Sequence, residues 1–364
     1  EKLPALLKVV AIYGPNASGK SSLILALEIF SALLKRTPTA EKGKLPVSSF
    51  RFDPVLRDKP SEFEIHFISN ETRYSYELAL DSVRIHKERL TSYPKGVASL
   101  LYFREFRNER DEYQFGDDLE GGIELHEAWR KLTGPQVLFI NQAVANSNEE
   151  LTQLKAPFTW LENLMVVKSG MNGLSSVVQR LVIDAPSLGE QITSLLQDVD
   201  IPILSIRSKI KDISAKQLTL PPEIAARVPE DAFKKSALFS SSDISTTLVH
   251  KTALGEAAFD FEEESDGTKN MIGFALPWHI FRSNQGPIDG RLLVVDELDS
   301  SLHPKLVEAL VKMHLSSELD CQIIFTTHDT HLMDTKLLRR DQIWVTERDA
   351  DGATKLRSIY DFEG

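Results

Sequence analysis

The chain has 364 residues, 42% of them hydrophobic and 26% charged, enough to bury a large core as one big domain with an insertion or as two domains. Its 42 basic and 53 acidic residues leave a net charge of −11, which excludes a uniformly basic nucleic-acid surface and confines any DNA contact to a local patch. The one cysteine, Cys321, excludes an internal disulfide or a cysteine-based zinc site and fits a small buried residue of a reduced, cytoplasmic protein; no apolar run reaches membrane-span length and no signal peptide is seen, so no membrane contact is expected.

The first residue is Glu1 rather than Met, which leaves a leading segment open. The apolar run Val9 to Tyr13 predicts a strand, Gly14-Pro15-Asn16-Ala17-Ser18-Gly19-Lys20-Ser21 follows it, and Ser22 to Phe30 has a helical pattern. Strand, glycine-rich loop and helix in that order predict a phosphate cradle for a nucleoside triphosphate. Its glycines let backbone N–H groups turn onto the phosphates at the helix start, Lys20 reaches the outer phosphates, and Ser21 ligates Mg2+. Gly14, Asn16, Ala17, Ser18, Gly19, Lys20, Ser21 and Ser22 form the nucleotide-binding set expected from this loop.

After the turn-rich stretch Arg36 to Pro46, the segments 62–68, 72–80 and 82–93 alternate with a period of two and predict antiparallel strands. Segments 100–106 and 112–115 read as a further hairpin around Arg107 to Asp111. From about 124 to 200 the pattern is helical, with Leu174, Val177, Val178, Leu181 and Val182 on one apolar face that reads as core. Leu204 to Ile210 predicts a strand, and Ser214 to Lys235 a loop or mobile helix tip. From Phe259 onward helices and strands alternate: 269–282, 292–295, 304–315, 322–326, 334–338 and 342–346. Such alternation implies a parallel sheet covered by helices, so the fold class is α/β.

The strand Leu292 to Val295 ends in Asp296-Glu297, the acidic pair that a phosphate loop needs. Ser265-Asp266-Gly267-Thr268 opens the preceding long helix; a small hydroxyl and a glycine there can hold a terminal phosphate, and the same residues can be an ordinary helix cap. Asp299-Ser300-Ser301-Leu302-His303-Pro304 and His328, at the end of the strand from Ile323, complete the order.

These five motifs together resemble the ABC-type ATPase head shared with SMC, RecF and OLD proteins. The segments Tyr13 to Ser22, Phe50 to Pro54, Phe261 to Lys269, Val295 to Pro304, Phe325 to Thr330 and Leu338 to Trp344 resemble the AAA_15 family of bacterial ATPases, whose members occur in anti-phage defence loci such as the PARIS system. The resemblance covers both ends of the chain and the middle only in outline. It implies an ABC-type head with a phosphate-loop parallel core and an antiparallel β-subdomain in 1–123, a mainly helical insertion in 124–250, and the remaining ATPase part in 251–364. It also implies that two heads close face to face, each nucleotide lying between the phosphate loop of one chain and the Ser265 and Gly267 signature of the other, so the chain would act as a homodimer or higher homo-oligomer.

The cofactors implied are ATP and Mg2+, the metal held by Ser21 and Asp296. Glu297 would orient or deprotonate the attacking water, and His328 would contact the terminal phosphate. Asp299 would communicate across the dimer, while His303-Pro304 shapes the following helix start. No glutamine loop is assigned, since Gln136, Gln142 and Gln153 all lie in the helical region. Arg339 and Arg340 read as a solvated helix end ahead of phosphate or DNA contacts, and Glu347 to Gly352 as an Asp-Gly hairpin tip rather than a nuclease carboxylate set.

The functional expectation is a Mg-dependent ATPase that senses a phage protein and regulates a separately encoded toxic effector, a nuclease. The alternatives are a DNA-binding repair ATPase of the SMC or RecF kind and an ATP-stabilised scaffold with slow turnover. Residues 124–250 hold too few sustained heptads for a long coiled coil.

Overall fold

The computed structural model describes residues 3–36, 43–148, 150–168, 172–198, 201–210, 244–282, 291–300, 302–317 and 321–362. The expected loop or helix tip at Ser214 to Lys235, and part of the turn-rich stretch after Arg36, lie outside the described residues. Two compact units divide the chain: Glu1–Val167 with Asn284–Glu297 and Glu318–Gly364, and Lys168–Ser283 with Leu298–Ser317.

The first unit is built on a six-stranded sheet. Its strands are β1 (Val9–Tyr13), β7 (Met165–Val167), β11 (Arg291–Val295), β12 (Cys321–Thr326), β13 (Ile343–Arg348) and β14 (Thr354–Ser358), in the order β14-β13-β1-β12-β11-β7. All neighbours are parallel except β13 and β14, which form the expected hairpin. Near-continuous apolar runs such as Leu292 to Val295, buried along their whole length, suit strands covered on both faces. The edge strand β7 lies in the stretch that reads as helical, because three residues carry no usable periodicity.

Beside this sheet, β2 (Ser61–Ser69), β3 (Thr72–Leu80), β4 (Ile85–Tyr93), β5 (Ser99–Arg107) and β6 (Arg110–Phe115) form an antiparallel meander, as the alternation predicts. The β2–β3 loop is Asn70-Glu71 (φ 47° and 56°) and the β5–β6 loop is Asn108-Glu109 (φ 49° and 63°). Two left-handed residues in a row match the twist of a two-residue hairpin. Helix α1 (Lys20–Leu34) leaves the phosphate loop, and α2 (Gly122–Leu132), α3 (Phe139–Ala145) and α4 (Lys155–Glu162) follow the meander. Their shared core includes Phe30 edge-on to Tyr76 and Phe67 stacked on Trp160, with centroids 5.6 and 4.4 Å apart.

A charged cluster lies inside the meander. The Glu88 carboxylate accepts from the hydroxyls of Tyr76 (2.9 Å) and Tyr102 (2.7 Å) and from the N–H groups of Phe139 (2.7 Å) and Ile140 (3.2 Å) at the start of α3. Arg104 donates to the carbonyls of Val137 (2.8 Å) and Gly134 (3.0 Å) and to Asp111 (3.0 Å). One residue along α3 from Ile140, Asn141 Nδ2 donates to the carbonyls of Leu33, Leu34 and Arg36 at 3.2, 2.9 and 3.0 Å, closing the end of α1.

The second unit holds α5 (Asn172–Asp184), α6 (Pro186–Asp198), α7 (Asp266–Arg282), α8 (Pro304–Ser316) and an antiparallel sheet of β8 (Ile203–Ile210), β9 (Ile244–Thr252) and β10 (Gly255–Asp260), ordered β10-β9-β8. Strand β8 was expected; β9 and β10 were not. On α5, Val178 and Val182 are buried but Val177 is 47% exposed, so the apolar face is narrower than its sequence spacing suggests. Back in the first unit, Asp334 to Leu338 forms no regular element and only closes turns onto the Asp334 carbonyl.

Candidate nucleotide-binding site

The phosphate loop follows β1 as expected and is fastened to the β13–β14 hairpin by hydroxyls. Ser18 Oγ and Thr346 Oγ1 are 2.6 Å apart, Thr346 donates to the Tyr13 carbonyl (3.1 Å), and Thr354 donates to the Ser18 carbonyl (3.0 Å). A Cβ on Gly19, at φ 102°, would lie 1.8 Å from Thr354 Oγ1, so only glycine fits between the loop and the hairpin. Lys20 is buried, and its ammonium donates to the carbonyls of Gly14 (2.7 Å) and Pro15 (3.2 Å), inside the curve of the loop. Helix α1 begins with no side-chain cap and no acid in its first turn, so nothing in its sequence neutralises the partial positive charge there. A buried cation, an uncapped helix start and a loop bounded by two glycines that leave no room for a Cβ fit the phosphates of a nucleotide.

Strands β11 and β12 bring the second group to the same end of the sheet. Strand β11 stops at Val295, and Asp296 and Glu297 follow it, half-buried and exposed respectively. Asp296 N–H donates to the Val167 carbonyl of β7 at 2.8 Å. Thr326, the last residue of β12, donates to Asp296 Oδ1 (2.6 Å) and accepts from the Glu297 N–H (2.7 Å). Glu297 has φ 51°, and this left-handed turn re-aims its side chain away from that of Asp296. Thr326 pairs with Ile12 of β1, so the acidic pair lies two strand spacings, about 10 Å, from the root of the phosphate loop. Two oxygen donors, Ser21 and Asp296, suit Mg2+, which keeps several waters and is completed by phosphate oxygens. His328 is exposed just beyond β12, and the Tyr13 hydroxyl, donating to the Asp329 carbonyl at 3.1 Å, ties that loop to β1.

Ser265, Gly267 and Asp299 belong to the second unit. Ser265 Oγ accepts from the Thr268 N–H at 3.1 Å and lies 2.9 Å from Thr268 Oγ1, which caps α7. Asn270 Nδ2 donates to the Ser300 carbonyl at 3.4 Å, joining α7 to the loop that carries Asp299. His303 caps α8 by accepting from Lys305 N–H at 3.3 Å, with Pro304 at the first helical position.

Most of the remaining sequence candidates have structural partners. Gln136 donates to the Val83 carbonyl and Gln153 to the Asp118 carbonyl, while Gln142 is buried in α3. Arg339 pairs with Asp341 at 2.8 Å in a 3-10 turn, and Arg340 donates to the Phe362 carbonyl at 2.7 Å. Asp349 closes the β13–β14 turn by accepting from Asp351 and Ala353 N–H groups. Among the described residues no cluster of three or more His, Cys, Asp or Glu side chains could hold a metal, and no helix is long and apolar enough to cross a membrane. Sequence reasoning missed Thr326, Thr346 and Thr354, whose only signal is a hydroxyl at or near a strand end.

Residues 9–132 and 181–334, more than half of the chain, match the family AAA_21, described as AAA domain, putative AbiEii toxin, Type IV TA system. No curated protein sequence matches. Among solved structures, an SMC head bound to the C-winged-helix domain of ScpA is similar at 16% identity and a TM-score of 0.45, covering 97% of this chain and 90% of that one. The SMC head domain from Thermotoga maritima is 12% identical with a TM-score of 0.42, covering 96% and 90%. An Smc head with an extended coiled coil, bound to the C-terminal domain of ScpA and derived from Pyrococcus furiosus, is 11% identical with a TM-score of 0.41, covering 97% and 90%.

Proposed function

The chain belongs to the AAA family described as putative AbiEii toxin, Type IV TA system, and from that premise we propose that it is a Mg-dependent ATPase converting ATP and water to ADP and phosphate. The observation that carries this reading is convergence: the phosphate loop, the Asp296–Glu297 pair and His328 lie at the same ends of three neighbouring parallel strands. Lys20 would hold the outer phosphates, and Ser21 and Asp296 would supply the protein's oxygens to Mg2+. That ion, when bound, offsets charge on the phosphate oxygens. Glu297 would accept the proton of the attacking water, its backbone fixed by Thr326 while its carboxylate stays in solvent. His328 would bind the terminal phosphate.

Replacing Lys20 with Ala should lower turnover by about 100-fold or more, measured as phosphate release, because the outer phosphates lose their fixed cation. Near-parental turnover would overturn the assignment.

Within the same reading, the chain works as a homo-oligomer in which Ser265, Gly267 and Asp299 complete the site of a second copy. The motif order supports this, as does the Asn270 link that joins α7 to the Asp299 loop. Chains carrying Lys20→Ala and chains carrying Ser265→Arg, once tagged pull-down has shown that they assemble together, should recover part of the activity each lacks alone. Full activity of the Ser265→Arg chain by itself would reduce Ser265 to a helix cap. The family description and the AAA_15 resemblance support a defence role, with ATP turnover controlling a separately encoded toxic effector such as a nuclease. Co-purification with the products of neighbouring genes tests that role; a chain that brings down none of them speaks against it.

A further inference from the structure

The segment Phe50 to Pro54, singled out in the sequence, has no part in the chemistry above. Phe52 is 67% exposed, and the turn that carries it is braced by its neighbours. Asp53 Oδ1 accepts from the N–H groups of Val55 (2.7 Å) and Leu56 (3.3 Å), Arg57 donates to the Arg51 carbonyl (3.1 Å), and the Phe50 ring lies 5.6 Å away. Gly352, at the tip of the β13–β14 hairpin, meets the ring so closely that a Cβ there would be 3.2 Å from it. The Arg348 guanidinium lies over the same ring, 5.1 Å from its centroid, and Arg348 Nε donates to the Gly352 carbonyl at 3.0 Å.

The strand register shows which way this pair faces. Arg348 is directly paired with Thr354, and Thr346 precedes it by two residues. Paired residues and residues two apart share one face of a hairpin. Both threonines use that face to grip the phosphate loop, at the Ser18 hydroxyl and the Ser18 carbonyl. The Arg348 side chain therefore stands on the loop-facing side of the hairpin, with Phe52 beneath it. A fixed, solvent-facing aromatic ring next to a planar guanidinium is a stacking surface for a flat, electron-rich heterocycle.

We propose that Phe52, with Arg348, stacks the nucleobase of the triphosphate whose phosphates Lys20 and Ser21 hold, so this loop-and-hairpin pair determines recognition of a nucleotide over a bare polyphosphate. The inference rests on the phosphate-loop reading above and adds the base-binding half of the same site. Phe52 is a specificity residue and touches none of the reacting atoms.

The test is calorimetric binding of ATP and of inorganic tripolyphosphate, each with Mg2+, to the full chain. Phe52→Ala and Phe52→Leu should weaken ATP on the order of tenfold and leave tripolyphosphate within about twofold; Phe52→Trp should bind ATP like the parent. Arg348→Met should weaken ATP by a smaller factor, about threefold, because it removes the cation and keeps the apolar stem. The leucine variant keeps the bulk on Gly352, so a loss there reports the flat ring rather than a collapsed loop. Unchanged ATP binding in both Phe52 variants, or equal weakening of both ligands, overturns the inference. A parent that binds tripolyphosphate as tightly as ATP overturns it while leaving the phosphate-loop reading intact. A parent that binds neither ligand overturns both.

Discussion

Two groups of polar and charged residues in the first unit are handled in opposite ways. Inside the antiparallel meander, Glu88 and Arg104 are completely buried, and every bond described for them goes to another group of the chain. At the ends of the parallel strands, Ser21, Glu297 and His328 are exposed, and Glu297 is held by its backbone, through the Thr326 hydroxyl. Only the second presents polar groups to solvent. A charge enclosed by its own fold serves as scaffold, since removing either partner leaves the other stranded in a low-dielectric interior. A charge fixed from behind and open in front serves a ligand.

That contrast can be broken first at Glu297. Glu297→Gln should lower turnover by about 10²–10⁴-fold, the usual contribution of a general base, and leave ATP affinity and the urea unfolding midpoint near those of the parent. A parallel loss of stability would move Glu297 to the scaffold class. Glu88→Ala should do the reverse, destabilising the chain by about 3–5 kcal/mol in equilibrium denaturation. An unchanged midpoint there would mean that the buried cluster is not what holds α3.

Asn141 sharpens the comparison because it joins the two regions. Its amide closes α1, the helix that begins at the phosphate loop, and it is adjacent to the Ile140 N–H that Glu88 accepts. Asn141→Ala should cost about 1–3 kcal/mol, the range for stranding buried backbone carbonyls, and should weaken ATP binding only slightly.

The smallest effect is alkaline. Burial, then the Glu88 carboxylate, holds the Tyr76 and Tyr102 phenols well above their ordinary range. Burial, aided by Glu88 and Asp111 against Arg104, pushes Tyr113 up to about 12. Phenols raised on folding keep their protons while those of the unfolded chain lose them, so their contribution is complete below about pH 10 and is lost as pH rises through the folded values. Urea midpoints between pH 8 and 11 should hold steady and then fall, and Tyr113→Phe should flatten the fall. A midpoint that rises above pH 10 would contradict the buried assignment.

The open site was more legible in sequence than the closed one. Phosphate loop and acidic pair are contiguous motifs beside apolar strands, His328 stands at the end of another such strand, and the meander announced itself by its two-residue period. Glu88 and Arg104 carry no such mark, because an acid on β4 and a base on β5 look like solvated residues until the helix above them is in place. Strand β7 was too short to show a period. Asp334 to Leu338 had the composition of an element but closes only turns. Thr326, Thr346 and Thr354 acquire meaning from contacts more than a dozen residues away in the chain, which no local pattern encodes. Ser265 was legible as a helix cap, and its hydroxyl is a cap to Thr268.

The Thr326 hydroxyl joins the proposed metal ligand to the proposed base through one oxygen atom, donating to Asp296 and accepting from Glu297. Charge placed on the Asp296 side polarises that hydroxyl, and the polarisation reaches the peptide that carries Glu297 within two bonds. In the proposed mechanism, metal grip and water activation would therefore not be separate dials. If the proposed roles hold, a change at Thr326 that alters the grip on Asp296 would shift hydrolysis with it, and a serine, which keeps the oxygen but loses the methyl group that holds its rotamer, would loosen both at once.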